Sequence, residues 1–197
     1  MDEDSRLGRE MLEGGRRYHA GLVPSDDAIA RMYESAIEKL AQAGIEQYEI
    51  SNFARPGFQS RHNLRYWERR PYLGLGLDAS SALQGDDGFV LRTKTTDDLK
   101  AYLDASEPAE TAWLSPDRQH EEAWFLGLRL NDGVDAAALE DEFGRERVLP
   151  ALELARRLAA DKLVLTAGTR VRLTAHGRLL SNEVFQQFLG LEAEVTG

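Results

Sequence analysis

The sequence predicts an α/β protein, α+β taken overall, in which mixed helices and strands give way to a helical, winged-helix-like module. Three observations carry that expectation. A helix, a glycine and a short strand follow one another at residues 25–50, as in half of an α/β unit. A second apolar segment, "YLGLGLDAS" at 72–80, reads as another strand. After residue 117 come three helical patterns, two short strands around a glycine and a closing helix.

The elements follow in order. Ser25 is placed to cap a helix over 25–43, with Asp26 and Asp27 where the helix dipole favours acid. Ala28, Ile29, Met32, Tyr33, Ala36, Ile37 and Leu40 make one apolar stripe, and Gly44 suits the C′ position. A strand is expected at 45–50 and an irregular stretch at 51–71, which holds Pro56, Gly57 and Pro71. Residues 84–95 predict a hairpin turning at "QGDDG", and 96–105 a short helix capped by Thr96. Residues 106–116 have linker composition, which divides the chain into 1–105 and 117–197. Helices are expected at 117–130, 134–144 and 145–163, with Pro150 in the first turn of the third. Strands flank Ala167-Gly168 over 163–174, and a last helix covers 175–189.

Composition limits the function. With 34 acidic against 24 basic side chains, a net charge of −10 argues against a general nucleic-acid or membrane-surface binder. The basic residues of the third helix, Arg145, Arg147, Arg156, Arg157 and Lys162, are interleaved with Glu146, Glu153 and Asp161, so no nucleic-acid partner is expected. No apolar run approaches the length of a transmembrane helix, and "MDEDSRLGRE" lacks the apolar core of a secretory signal, so a cytoplasmic location is expected. Cysteine is absent, which excludes thiolate zinc sites and cysteine-ligated iron–sulfur clusters within this chain.

The candidates for chemistry are few. "GLGLD" at 74–78 lacks the spacing of a dinucleotide-binding loop and reads better as glycines that admit close approach of a ligand or another backbone. The acid pairs Asp26/Asp27, Asp86/Asp87, Asp97/Asp98 and Glu121/Glu122 read as solvated surface. His19, His120 and His176 stand alone and read as structural. "HNLRYW", at 62–67, gathers a histidine, an asparagine and two large aromatics. It fits a buried aromatic corner, the stronger reading on composition alone. It also fits a haem site, since imidazole is an axial ligand for iron and flat macrocycles stack on Tyr and Trp.

The run "YEISNFARPGFQSRHNLRYWERRPYLGLGLDASSAL", residues 48–83, resembles the HemW branch of the radical SAM proteins, which is related to the oxygen-independent coproporphyrinogen III oxidases. The matching positions are Tyr48 to Asn52, Ala54 to Gly57, Ser60, His62, Asn63, Tyr66, Trp67, Tyr72, Gly74 and Gly76. "MYESAIEKLAQAG", "AWFLGLRLNDGVD" and "LTAHGRLLSNEVF" are similar to the family too, so the resemblance covers most of the chain. Two departures stand out. The cysteine triplet that binds a 4Fe–4S cluster in the family has no counterpart, and "GLGLDASS" lacks the family's histidine after the glycines.

The resemblance implies the C-terminal units of a partial (β/α) radical SAM barrel over 1–105, followed by the family's C-terminal, winged-helix-like domain. It implies haem binding and trafficking, with haem as cofactor or cargo and a haem-acceptor protein as partner. His62 becomes the axial-ligand candidate, supported by Asn63, Tyr66 and Trp67. Leu75, Gly76, Leu77, Asp78 and Ala79 would border S-adenosylmethionine through their backbone, while S-adenosylmethionine and the 4Fe–4S cluster are implied only for the longer family members. The alternative is coproporphyrinogen III oxidation, which a cysteine-free chain cannot perform by itself. A partial barrel exposes strand edges, so self-association is a further expectation.

Overall fold

The computed structural model describes residues 24–85, 88–104 and 108–191, together with Arg9; the expectations for His19, Asp86 and Asp87 lie outside the described residues. The chain divides into two compact units, Met1–Glu46 and Gln47–Gly197.

In the first unit, helix α1 spans Asp26–Gln42, and the Ser25 hydroxyl accepts the Ala28 N–H as predicted. The helix stops where Gly44 takes φ +71°, a conformation that costs a side-chain-bearing residue about 1 kcal/mol. None of the α1 residues is fully buried; of the apolar stripe, Ala28, Tyr33, Ile37 and Leu40 are half-buried and Ile29, Met32 and Ala36 exposed.

Next in the chain comes the β1–β2 pair, Glu46–Glu49 and Asn52–Ala54, which apart from Glu46 belongs to the second unit. Helix α2, Arg61–Trp67, follows. Strands β3 (Ser80–Gln84), β4 (Val90–Lys94) and β5 (Glu110–Leu114) form an antiparallel sheet in that order, with Ser80 opposite Lys94 and Val90 opposite Leu114. Helix α3, Leu99–Asp104, lies between β4 and β5 in the chain.

The remainder runs α4 (Pro116–Gly127), β6 (Val134–Asp135), α5 (Ala136–Phe143), α6 (Arg145–Ala160), β7 (Val164–Ala167) and β8 (Arg170–Leu173). The sheet order is β6-β8-β7, antiparallel throughout. That order of helices and strands is a winged helix. Its core forms because α6 buries Val148, Ala151, Leu154, Ala155 and Leu158 on one face, against Trp124 and Leu128 of the α4 region. Two short helices, α7 (Ala175–Leu179) and α8 (Ser181–Gln187), close it. Phe188 stacks on Trp124 with centroids 5.2 Å apart. Gly177 is required here, since a Cβ would lie 1.9 Å from the Leu163 carbonyl oxygen.

The α/β reading holds, and several local expectations change. The irregular stretch 51–71 contains β2 and α2, because Ser60 caps a helix by accepting the Asn63 N–H at 3.2 Å. The strand expected at 72–80 starts only at Ser80, because Gly76 (φ +107°) and Asp78 (φ +54°) break the extended path; Tyr72 makes an isolated bridge to Ala82. Asp98, not Thr96, caps α3: its carboxylate accepts the Ala101 N–H at 2.7 Å. The expected linker contributes β5, whose Thr, Ala, Trp and Leu pair along β4. Pro150 is the sixth residue of α6 rather than part of its first turn, so the helix forgoes the bond to the Glu146 carbonyl. The last helix is two, parted at Leu180. Both three-stranded sheets are antiparallel, and no closed barrel forms among the described residues.

Candidate functional site

Placing residues 61–67 on a helix gives "HNLRYW" a geometry that a loop would not. Residues four apart share a helix face, so His62 stands over Tyr66 and Asn63 over Trp67. The His62 imidazole is exposed and meets the Tyr66 ring edge to face, with centroids 4.8 Å apart. Tyr66 meets Tyr72 in the same manner at 4.5 Å. Three rings thus run from an exposed imidazole toward Tyr72, whose phenol burial pushes above its ordinary pKa.

Tyr66, Trp67 and Tyr72 line a cleft of about 580 Å³, within the range of about 300–1,000 Å³ usual for small-molecule sites. Its opposite side comes from β4 and α4, notably Arg92 and Glu122, paired at 2.7 Å. Burial raises the Glu122 carboxyl above the usual range, against the lowering pull of Arg92 and Arg69. The sequence reading placed Glu122 on solvated surface; the structure half-buries it and gives it an ion pair. Arg69, at φ +53°, reaches across to Glu142 with both terminal guanidinium nitrogens, at 3.0 and 2.6 Å, and lies over the Phe143 ring. A left-handed arginine on a cleft wall is a strained residue held by these contacts.

The helix carrying the motif is held from behind. The Arg129 guanidinium lies 4.3 Å from the centroid of Trp67 and 3.4 Å from the carboxylate of Glu49, a side chain with no exposed surface. Glu49 Oε1 also accepts the Ser51 N–H at 3.0 Å and Asn52 Nδ2 at 2.5 Å. Asn131 donates its side-chain amide to the Gln47 carbonyl, and its N–H bonds to the Tyr48 carbonyl at 3.1 Å. The "YEISN" strand, the turn after α4 and the motif helix are therefore joined through one buried carboxylate. Sequence reasoning missed the parts played by Glu49, Arg129 and Arg92. Glu49 had a signal, being the acid of the apolar strand inside the family match.

Leu75 to Ala79 form a turn pinned to the β4 end and to α3. The Gly76 N–H bonds to the Tyr102 hydroxyl at 3.1 Å, its carbonyl accepts from the Thr95 hydroxyl at 2.6 Å, and the Ala79 N–H donates to the same hydroxyl at 2.8 Å. The Asp78 N–H bonds to the Thr96 carbonyl at 2.9 Å, and its carboxylate pairs with Lys94 at 2.7 Å. Leu75, at 82 % exposure, faces solvent. A Cβ on Gly74 would lie 2.2 Å from the Ser80 carbonyl oxygen, which is the close backbone approach expected of these glycines. The partners that hold this turn, Thr95, Thr96, Lys94 and Tyr102, all lie outside α2, so the turn and the His62 helix are separate constellations.

His120 is structural, as expected. Its Nε2 accepts from Trp124 Nε1 at 2.9 Å, and burial pushes its pKa down to about 4, assisted by Arg147 and Arg69. Among the described residues, no group of three or more His, Asp or Glu side chains is arranged to hold a metal ion. No helix among the described residues is long and apolar enough to cross a membrane.

Comparison with known proteins agrees with this architecture. Residues 114–180, which hold the winged helix, match the HemN C-terminal domain family. The heme chaperone HemW of Bacillus subtilis is 36% identical over 187 residues, covering 91% of this chain and 46% of the relative. HemW of Lactococcus lactis is 37% identical over 179 residues, covering 88% of this chain and 46% of the relative. Radical S-adenosyl methionine domain-containing protein 1, mitochondrial, of Danio rerio is 32% identical over 156 residues, covering 71% of this chain and 35% of the relative. The chain thus spans about half the length, or less, of these relatives. The solved structure of coproporphyrinogen III oxidase (HemN) from Escherichia coli shares the fold, with a TM-score of 0.67 at 22% identity, over 91% of this chain and 45% of that one. By sequence over most of its length and by fold, the chain belongs to the HemW-type radical SAM proteins.

Proposed function

We propose that this chain is the haem-handling part of a haem chaperone, binding haem at α2 for transfer to an acceptor protein. One observation carries the reading: helix α2 presents an exposed imidazole, His62, met edge-on at 4.8 Å by Tyr66, a residue that lines the neighbouring cleft. The imidazole would supply the axial ligand, and Tyr66 would hold its plane. Asn63 and Trp67, one residue further round the helix, would flank the macrocycle. Haem, when bound, supplies an iron with a site for a nitrogen ligand. The kinship with heme chaperones supports the same role.

S-adenosylmethionine bordering Leu75–Ala79 belongs to this reading only in company with a cluster-bearing segment, because the chain holds no cysteine to ligate a cluster. The test of the haem role is direct. Titration of the purified chain with haemin gives a saturable Soret shift, and His62→Ala abolishes the shift or changes its position. Equal binding and identical spectra for both proteins reject His62 as the ligand.

A further inference from the structure

Helix α2 is too short to stand by itself. It has seven residues, none of them buried, whereas isolated helices shorter than about 12–15 residues are marginal in water. Its placement, and with it the direction of His62, therefore comes from tertiary contacts. Arg65 reaches the Pro71 carbonyl and Tyr66 meets the Tyr72 ring, but these contacts are local to the segment. Just beyond the helix, Arg69 pairs with Glu142 of α5; both side chains keep exposure, 21% and 46%, and such pairs hold weakly. The firmer tie is Arg129, in the turn after α4, whose guanidinium covers the Trp67 ring at 4.3 Å.

Arg129 is in turn aimed by Glu49. The Glu49 carboxylate has no exposed surface and meets Arg129 Nη2 at 3.4 Å, while Ser51 and Asn52 donate to its other oxygen. The backbone fixes both partners. The Ile50 N–H bonds to the Arg129 carbonyl and the Asn131 N–H to the Tyr48 carbonyl, each at 3.1 Å, and Glu49 bridges to Leu130. The guanidinium is thus set between a carboxylate at its edge and a ring on its face. A buried ion pair adds little net stability over an apolar replacement, and its better-attested use is to specify one arrangement. A planar cation with a rigid fork suits that use, because it must satisfy an edge and a face together.

We infer that Glu49 and Arg129 are positioning residues for His62. Glu49 directs the Arg129 guanidinium, the guanidinium holds Trp67, and Trp67 fixes the helix that presents the imidazole. The winged helix thereby takes part in presenting the ligand. This rests on the reading of His62 as a haem ligand, but the placement of its helix can be measured without haem.

Four proteins separate placement from stability: wild type, Arg129→Lys, Arg129→Met and Glu49→Gln/Arg129→Met. The double variant discriminates. It removes the stranded carboxylate charge and so regains stability that Arg129→Met loses, yet it leaves Trp67 without its cation. Haemin is titrated into each protein well below its unfolding transition. Hydrogen exchange of the haem-free proteins is followed over residues 60–68, with 163–174 as the internal reference. Groups that orient a metal ligand change affinity by about 10–100-fold. Arg129→Met and the double variant are therefore both expected to bind haemin at least about tenfold more weakly, with an altered Soret position, and to exchange faster over 60–68 but not over 163–174. Arg129→Lys keeps a cation between Glu49 and Trp67 and is expected to fall between wild type and Arg129→Met. A double variant with the affinity and spectrum of wild type overturns the inference, because binding would then follow stability alone. If wild type and His62→Ala give the same haemin spectrum, the ligand reading fails and exchange alone decides the placement: acceleration over 60–68 in both methionine variants upholds it, and wild-type rates overturn it.

Discussion

Arg129→Met tests the buried joint behind the motif helix. The substitution keeps an apolar stem of similar length but removes the guanidinium from Glu49 at 3.4 Å and from the Trp67 ring at 4.3 Å. Glu49 has no exposed surface, so its carboxylate is left in the interior without its cation. Breaking such a pair from one side costs about 3–5 kcal/mol. Two acceptor bonds, from Ser51 and Asn52, still serve Oε1 and draw the figure to the low end; the lost cation–π contact adds about 1 kcal/mol. The expected loss is therefore about 3–4 kcal/mol, read as a fall in the urea midpoint at unchanged slope. The double variant Glu49→Gln/Arg129→Met removes the stranded charge and is expected to be more stable than Arg129→Met alone. A loss below about 1 kcal/mol, or a double variant less stable than the single one, would refute the reasoning, because the ion pair would then be behaving as a solvated surface contact.

Other perturbations follow from the same geometry. His120 is held neutral with its pKa at about 4, below its unfolded value, so the stability it contributes is complete above about pH 6.5 and is lost as pH falls toward 4. Wild type is expected to lose about 2–3 kcal/mol more than His120→Gln across that window, measured by urea unfolding at several pH values; parallel curves would contradict a buried neutral imidazole. Gly177→Ala drives a methyl to 1.9 Å from the Leu163 carbonyl and is expected to prevent folding of the winged helix or cost more than about 3 kcal/mol. Gly44→Ala meets open space and suffers only the φ +71° strain, about 1 kcal/mol, so thermal melts that rank the two the other way round reject the packing argument. Leu73, Leu75 and Leu77 are exposed at 66%, 82% and 41%, and the self-association expected from unpaired edges should weaken on Leu75→Lys in sedimentation velocity, whereas a monomer at all concentrations opposes it.

Much of this architecture was legible from local chemistry. Ser25 and Gly44 bracket α1 because a cap and a left-handed stop act within one turn of the chain. The hairpin strands around residue 168 and the three helices before them follow from periodicity. What escaped depended on distant partners. "ETAWL" looked like linker because it is flanked by Ser, Glu and Pro, and only its pairing along β4 makes it a strand. "YLGLGLDAS" looked like a strand because its apolar residues alternate with small ones, but positive φ at Gly76 and Asp78 is invisible in that alternation. The motif helix was the more avoidable miss: His62/Tyr66 and Asn63/Trp67 are four apart, and Ser60 stands where a cap belongs. The site's supports could not be read at all. Arg129 lies 80 positions from Glu49 in the chain, and nothing local to either residue announces the other.

The most direct test of the haem role is a spectroscopic titration of the purified chain with haemin, run on wild type, His62→Ala and Tyr66→Leu with folding checked in parallel. The account predicts a saturable one-to-one Soret shift for wild type, loss of the imidazole-ligated spectrum in His62→Ala, and weaker binding with a broadened spectrum in Tyr66→Leu. A wild-type chain that shows no saturable shift, or three proteins with the same affinity and spectrum, would contradict it.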